Sequence, residues 1–440
     1  MAENENGKLR AVAWNDILPW LLLVRCFRLA IGPRNLLLAA AAIALTVNGW
    51  FLFDRLFFGT AEHPEAPSRR VCPWLEVTRI VPDYPQWPGW PGWTELGPVP
   101  SPAMPSDDNL GLPRWRANPF WDGWEYLSRP LRAVFAPQQT WRGLLFALFC
   151  GLWTVAVWAF LGSGITRSAA LHLAADERVG LAAMFRHMTT KWSAYFAAPL
   201  LPLAGVLLIV IPFLVAGLLM RTGIGLFLMG LLWPLALLGG LAMAVLLLGV
   251  LFGWPLMWPT IGAEGTDCFD AMSRSYDYVV HRPLHYLFYA VVAGALGLLG
   301  WLLVQNVAAA VVGLSYWAAG LGAGAERISL IAGAPAAEGE GLATLSTIGA
   351  VIVRFWGQCV KMLAVGYLFS YFWTASTAIY LLLRRDQDAK ELDEVALDDD
   401  HEAAVGLPAV ETDSAGAPVV RDEPAAGAQG GGDEAPRHEY

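Results

Sequence analysis

Three residues have the spacing of metal ligands: Asp277, His281 and His285 fall at i, i+4 and i+8, one face of a continuous helix. Pro283 lies between the two histidines and Arg282 adds a positive charge, so the helix is expected to stop there and separate them. A second acidic group, Glu264, Asp267 and Asp270, has the oxygen donors a hard cation takes. The simpler expectation is a solvated helix N-terminus, where acids complement the helix dipole. The chain is therefore expected to hold no metal and no other cofactor.

Nucleophilic and nucleotide chemistry find even less to work with. No Gly-x-x-x-x-Gly-Lys-[Ser/Thr], His-Glu-x-x-His or Gly-x-Ser-x-Gly occurs. Gly162-Ser163-Gly164 is a small-residue run suited to close helix approach. The five cysteines, at 26, 72, 150, 268 and 359, are odd in number and widely spaced, which argues against a disulfide framework or zinc site. No catalytic residue is assigned, and a non-enzymatic protein is expected.

Two groups remain as binding candidates. Gln305, Asn306 and Asn48 are the strongly polar residues placed deep in apolar runs. Such amides join helices by hydrogen bonds or line a polar path. Trp87, Trp90 and Trp93 belong to a run that is nearly a Trp-Pro-Gly repeat. They offer a stacking platform for a ligand or partner, or else interfacial anchors.

The elements that must position these residues follow from composition. Of 440 residues, 56% are hydrophobic and only 15% charged, against roughly 45–50% and 25% in soluble domains. The net charge of −9 divides unevenly. Residues 386–440 hold 16 acids and three bases, so the tail carries −13 and the body +4. The body reads as an all-α, polytopic transmembrane bundle of about six spans with interfacial amphipathic helices.

The spans are expected within 36–53, 143–165, 192–220, 223–260, 284–319 and 362–383. Residues 223–260 and 284–319 are long enough for a tight hairpin, and splitting both gives eight spans as the alternative. The distribution of bases favours six. Arg25, Arg28, Arg34, Arg178, Arg186, Lys191, Arg274, Arg282, Arg384 and Arg385 then share one side. This places both termini in the cytoplasm and the protein in a bacterial cytoplasmic membrane. No cleavable signal peptide is read, and the first apolar run is expected to act as an anchor.

The organisation expected is thus an N-terminal segment with an interfacial helix (1–35), a first span (36–58) and an external Trp/Pro-rich loop (59–141). A five-helix bundle (142–385) and an acidic, unfolded tail (386–440) follow. The loop has nine acids and seven bases, no footprint for a polyanion such as nucleic acid. Within the bundle, Asp176–Arg186 and Glu264–Arg274 align without gaps, acid on acid and Ala-Met-x-Arg on Ala-Met-x-Arg. Both are expected to be amphipathic helices on the inner leaflet, as is 17–31. Residues 342–361 are also amphipathic and, with six spans, are expected outside or in the outer leaflet.

An acidic-start amphipathic helix before an aromatic-rich span, as at Glu264–Arg274, resembles bacterial multi-pass proteins related to the membrane domain of glycerophosphodiester phosphodiesterases. The resemblance covers about 140–385. No catalytic barrel follows, and it implies no catalytic residue. Partners are expected to be membrane lipids, another membrane protein or a second copy. The first functional expectation is a scaffold or membrane-organising component. The alternatives are a facilitative transporter or channel for a small solute or lipid, and an external binding protein using the Trp/Pro loop.

Overall fold

A computed structural model describes residues 18–59, 78, 81, 140–332, 343–390, 392, 394 and 395. Among them there are helices and no strands, and six helices are long and apolar enough to cross a membrane. The chain is thus a multi-pass helical membrane protein. Trp87, Trp90, Trp93 and the tail beyond 395 lie outside the described residues.

After a 3-10 turn at Pro19–Leu21 come α1 (Leu22–Ala30) and α2 (Pro33–Phe58). Then come α3 (Trp141–Ala175), α4 (Leu181–Leu219), α5 (Gly223–Glu264), α6 (Cys268–His281), α7 (Pro283–Ala332) and α8 (Ala343–Asp388). The boundaries have local causes. Thr140, Thr222 and Asp267 cap α3, α5 and α6 by accepting backbone N–H bonds from Gly143, Gly225 and Asp270. Left-handed residues end two helices, Asp176 (φ 56°) after α3 and Gly265 (φ 65°) after α5. Arg282 (φ −128°, ψ 49°) breaks the chain before Pro283, so α6 and α7 are separate.

The eight-span alternative falls here. Residues 223–264 form one helix of 42 residues, with no break for a hairpin. Helix α7 is likewise continuous until Gly324 (φ 80°, ψ 164°). Two other expectations need correction. Residues 343–361 are not a separate amphipathic element but the first turns of α8, which runs unbroken for 46 residues. The amphipathic stretch 181–191 is not detached from its span either, because no Gly or Pro lies between Leu181 and Ala198 to separate them.

One end of the bundle gathers α1, α6 and the ends of α3, α5 and α8; it is called the tail end below. Its centre is α8. From residue 361 to 384 nearly every α8 side chain is buried, enclosed by α1, α2, α3, α5 and α7. The stretch expected as the sixth span is therefore the axis of the core. Small residues allow close approach to it: a Cβ on Gly366 would lie 3.0 Å from Leu36 O of α2. Helix α1 packs one face into the bundle and leaves Val24, Arg25 and Arg28 exposed on the other. Leu23, Cys26 and Ala30 are fully buried, and Ser370 of α8 donates to Ala30 O at 2.9 Å.

Away from the tail end α4 and α5 separate from this core. Side chains from 224 to 252 of α5 are exposed in almost every direction. The second half of α4 is similar. These residues are Leu, Phe, Ile and Val, the composition of a lipid-facing surface.

Candidate functional site

The most polar interior of the described bundle lies at its tail end. Glu264 is the last residue of α5, and its side chain is 10% exposed. Its Oε2 pairs with Arg274 of α6 at 2.5 Å. Its Oε1 accepts from the Tyr380 hydroxyl at 2.7 Å and lies 3.8 Å from Arg384, which is 1% exposed. Arg384 donates in turn to Glu394 O at 2.7 Å. One carboxylate thus collects a phenol and two guanidinium groups from α6 and α8.

The network widens toward the end of α8. Tyr278 of α6 donates to Asp388 at 2.6 Å, and Tyr289 of α7 donates to Asp386 at 3.0 Å. The amide of Gln387 donates to Asp277. Burial, then the hydrogen bond and charge of Asp388, push the Tyr278 phenol above its ordinary pKa, so it remains a donor at every physiological pH. Helices α5, α6, α7 and α8 are thereby tied at one level.

A second cluster joins α3, α4 and α5. Arg167, 1% exposed, donates to Gly262 O at 2.9 Å. Tyr195 gathers the Thr166 hydroxyl and the His187 ring, each at 3.2 Å, while Trp258 Nε1 donates to Tyr195 O at 2.9 Å. Lys191 reaches across to Gly265 O at 2.5 Å. Each cation thus caps a carbonyl at the end of α5, where the helix dipole is negative. Nearby, Arg25 of α1 pairs with Asp176 at 2.9 Å.

Above these clusters the centre is filled with rings. Trp258 and Trp373 stack at 4.3 Å, and Trp254 stacks on Phe372 at 5.4 Å while meeting Trp373 edge-on at 5.3 Å. Gly162 permits this, since its absent Cβ would lie 3.0 Å from the Trp258 ring.

The residues singled out from sequence fare differently. Asn48 and Asn306 each donate to their own helix, to Ala44 O and Leu302 O, both at 2.7 Å. Asn306 is buried, Asn48 is exposed and Gln305 is half-buried. The structure does not gather the three amides into one cluster. Asp277 and His281 pair at 2.8 Å, but His285 lies beyond the Arg282–Pro283 break. No group of three metal-ligating side chains occurs among the described residues. Asp267 is a helix cap as expected. Glu264 is not a solvated helix-terminal acid, because α5 runs to Glu264 itself and turns its side chain in between α6 and α8. Thr78 and Val81, from the expected external loop, are buried, and Thr78 hydrogen-bonds Gln358 of α8.

Glu264, Arg384 and Arg167 were therefore missed as interior groups. Arg167 had a usable signal: no Gly or Pro follows Gly164 before Ala175, so the helix continues past Arg167 rather than ending there. No protein-family model, no curated protein and no solved structure matches this chain.

Proposed function

We propose that this chain is a non-enzymatic scaffold or membrane-organising component. It resides in a bacterial cytoplasmic membrane with its N-terminus and acidic tail on the cytoplasmic side. The observation that supports this reading is the filled axis of the bundle. Helix α8 is enclosed from 361 to 384, and the 4.3 Å stack of Trp258 on Trp373 occupies its centre. A transport path needs polar groups along a space between helices. Here Glu264 and Arg384 instead join helix ends. Rigid, interlocked ends suit a protein that presents fixed surfaces to lipid and neighbours.

The orientation follows from charge. Arg25, Arg34, Arg178, Arg186, Lys191, Arg274, Arg282 and Arg385 all lie at or near the tail end, and bases concentrate on the cytoplasmic side. Partners proposed are membrane lipids and another membrane protein or a second copy.

The test sets scaffold against carrier. Full-length protein and the Gln305→Leu/Asn306→Leu variant are reconstituted in vesicles, and the efflux of entrapped small solutes is followed. In parallel, the native membrane assembly of each is sized in mild detergent. A scaffold gives efflux no faster than protein-free vesicles and an assembly unchanged by the substitutions. Saturable efflux that the double substitution abolishes would make the protein a carrier.

A further inference from the structure

The transmembrane helices differ in length in a way that a single bilayer thickness does not accommodate. Between Arg34 and Asp54, α2 has an uncharged run of about 29 Å at roughly 1.5 Å per residue, matched to a hydrocarbon core of about 30 Å. Between Lys191 and Arg221, α4 has an uncharged run of about 44 Å. Helix α5 has no charge from Thr222 to Ala263. Its exposed apolar stretch, from Ile224 to Phe252, is about 43 Å long.

A hydrogen bond fixes the comparison within the molecule. Trp192 Nε1 of α4 donates to Ala156 O of α3 at 3.1 Å, so the two helices share that level. From there α3 has about 23 Å left to its end at Trp141, whereas α4 has about 41 Å left to Leu219. The α4–α5 hairpin therefore outreaches α2 and α3 by roughly 18 Å when parallel to them. It reaches a common height only by leaning about 55°.

The surface of this arm selects its partner. Helix–helix interfaces in membranes are rich in small residues, because close approach replaces the hydrophobic effect. The arm instead turns out large side chains such as Phe227, Leu231, Leu235 and Leu238, between 62% and 78% exposed. Its outward glycines, Gly217, Gly230 and Gly240, have no neighbouring chain within 4 Å of where a Cβ would sit. Its glycines that make close approaches face inward instead: Gly239 meets Phe213 and Gly205 meets Leu246 inside the hairpin, and Gly249 meets Tyr276 of α6. Lipid chains fit such a surface better than a second protein does.

We propose that the α4–α5 hairpin is an overlong, lipid-embedded arm whose partner is bilayer lipid with long acyl chains, so that the protein is stabilised by membranes thicker than α2 alone selects. Mismatch costs fractions of a kcal/mol per Å and sorts proteins among membranes or thickens the bilayer beside them. The proposal rests on the membrane-organising reading for its use to the cell, but not for its physics. A carrier with this arm would show the same thickness preference.

The test uses full-length protein in phosphatidylcholine vesicles whose monounsaturated chains run from about 14 to about 22 carbons. The thermal unfolding midpoint is measured in each. The expected midpoint rises to a maximum at about 20 carbons or longer. A shortened variant lacks 207–213 of α4 and 234–240 of α5, about two turns of each, so the facing pair Phe213 and Gly239 leaves together. Its maximum is expected about four carbons shorter. A wild-type maximum at about 16–18 carbons overturns the proposal even if the shortened variant does not fold. So does a midpoint that tracks protein-to-lipid ratio instead of chain length, which would assign the arm to a second copy. Either failure leaves the efflux test standing by itself.

Discussion

The hydroxyl of Tyr380, on the central helix α8, donates a 2.7 Å hydrogen bond to the carboxylate of Glu264 at the end of α5. Arg274 and Arg384 face the same carboxylate, so the charge that holds them is shared by three helices. Removing it takes one carboxylate away from Arg384, which is 1% exposed. Glu264→Gln keeps an acceptor for Tyr380 but loses the charge, and is expected to cost about 3 kcal/mol. Tyr380→Phe deletes one hydrogen bond to a charged group and is expected to cost about 1.5 kcal/mol. Unfolding by SDS titration in mixed micelles measures both. An order reversed, with the phenol worth more than the carboxylate, would show that the ion cluster does not hold the helix ends.

That cluster also marks where sequence reasoning stopped. Span number was legible, because uncharged runs of twenty or more residues have one economical use in a membrane protein. The helix start at Asp267 was legible, because acids complement the N-terminal end of a helix dipole. What α8 packs against was not. Hydropathy treats residues 362–383 as lipid-facing, yet they are wrapped by other helices, and a window of apolar residues is the same in either setting. Glu264 was misplaced for a related reason. Its neighbours at Arg274, Tyr380 and Arg384 are remote in sequence, so nothing local distinguishes an acid that caps a helix from one that pins three together.

The arm gives two glycines with opposite expectations. A Cβ on Gly249 would lie 2.3 Å from the Tyr276 ring of α6, which already donates to Leu246 O at 3.1 Å. A Cβ on Gly230 meets open space. Gly249→Ala is therefore expected to destabilise by about 1–3 kcal/mol as the ring is displaced. Gly230→Ala should stabilise by about 0.5–1 kcal/mol through helix propensity. The same micelle titration reads both signs. Equal effects would mean that α6 is not seated against α5 as described.

Cys26 should be inert in the folded protein. Burial pushes its thiol up to about 12, against small opposing effects from a backbone hydrogen bond and Arg25. At pH 8 its thiolate population is then about a thousandfold below that of a thiol at its unperturbed pKa of 9.0. Maleimide labelling followed by peptide mapping should leave Cys26 unmodified until denaturant is added, while Cys268, half-buried, reacts earlier. The thiolate fraction grows as pH approaches the raised pKa, so labelling of Cys26 should begin only near the alkaline limit. Rapid modification at pH 8 would place α1 on the surface, outside the bundle.

The crossing of α5 decides the topology. Its ends are set by Thr222, which caps the first turn, and Gly265, which takes the left-handed conformation after the last. A hairpin between them would need a turn that breaks the helix near its middle, and none occurs between Gly223 and Glu264. A continuous helix sends its two ends to opposite faces. Single cysteines at Thr222 and Ser273, both exposed, test this in a cysteine-free background. A membrane-impermeant thiol reagent added to intact cells is expected to modify Thr222→Cys. Ser273→Cys, beside the bases of the tail end, should react only after permeabilisation. Reaction of both from the same side would mean that α5 is not a single crossing, and would return the chain to a hairpin of two crossings within 223–260. Reaction of Ser273→Cys alone would keep the six spans but invert them, placing the tail outside against the charge rule.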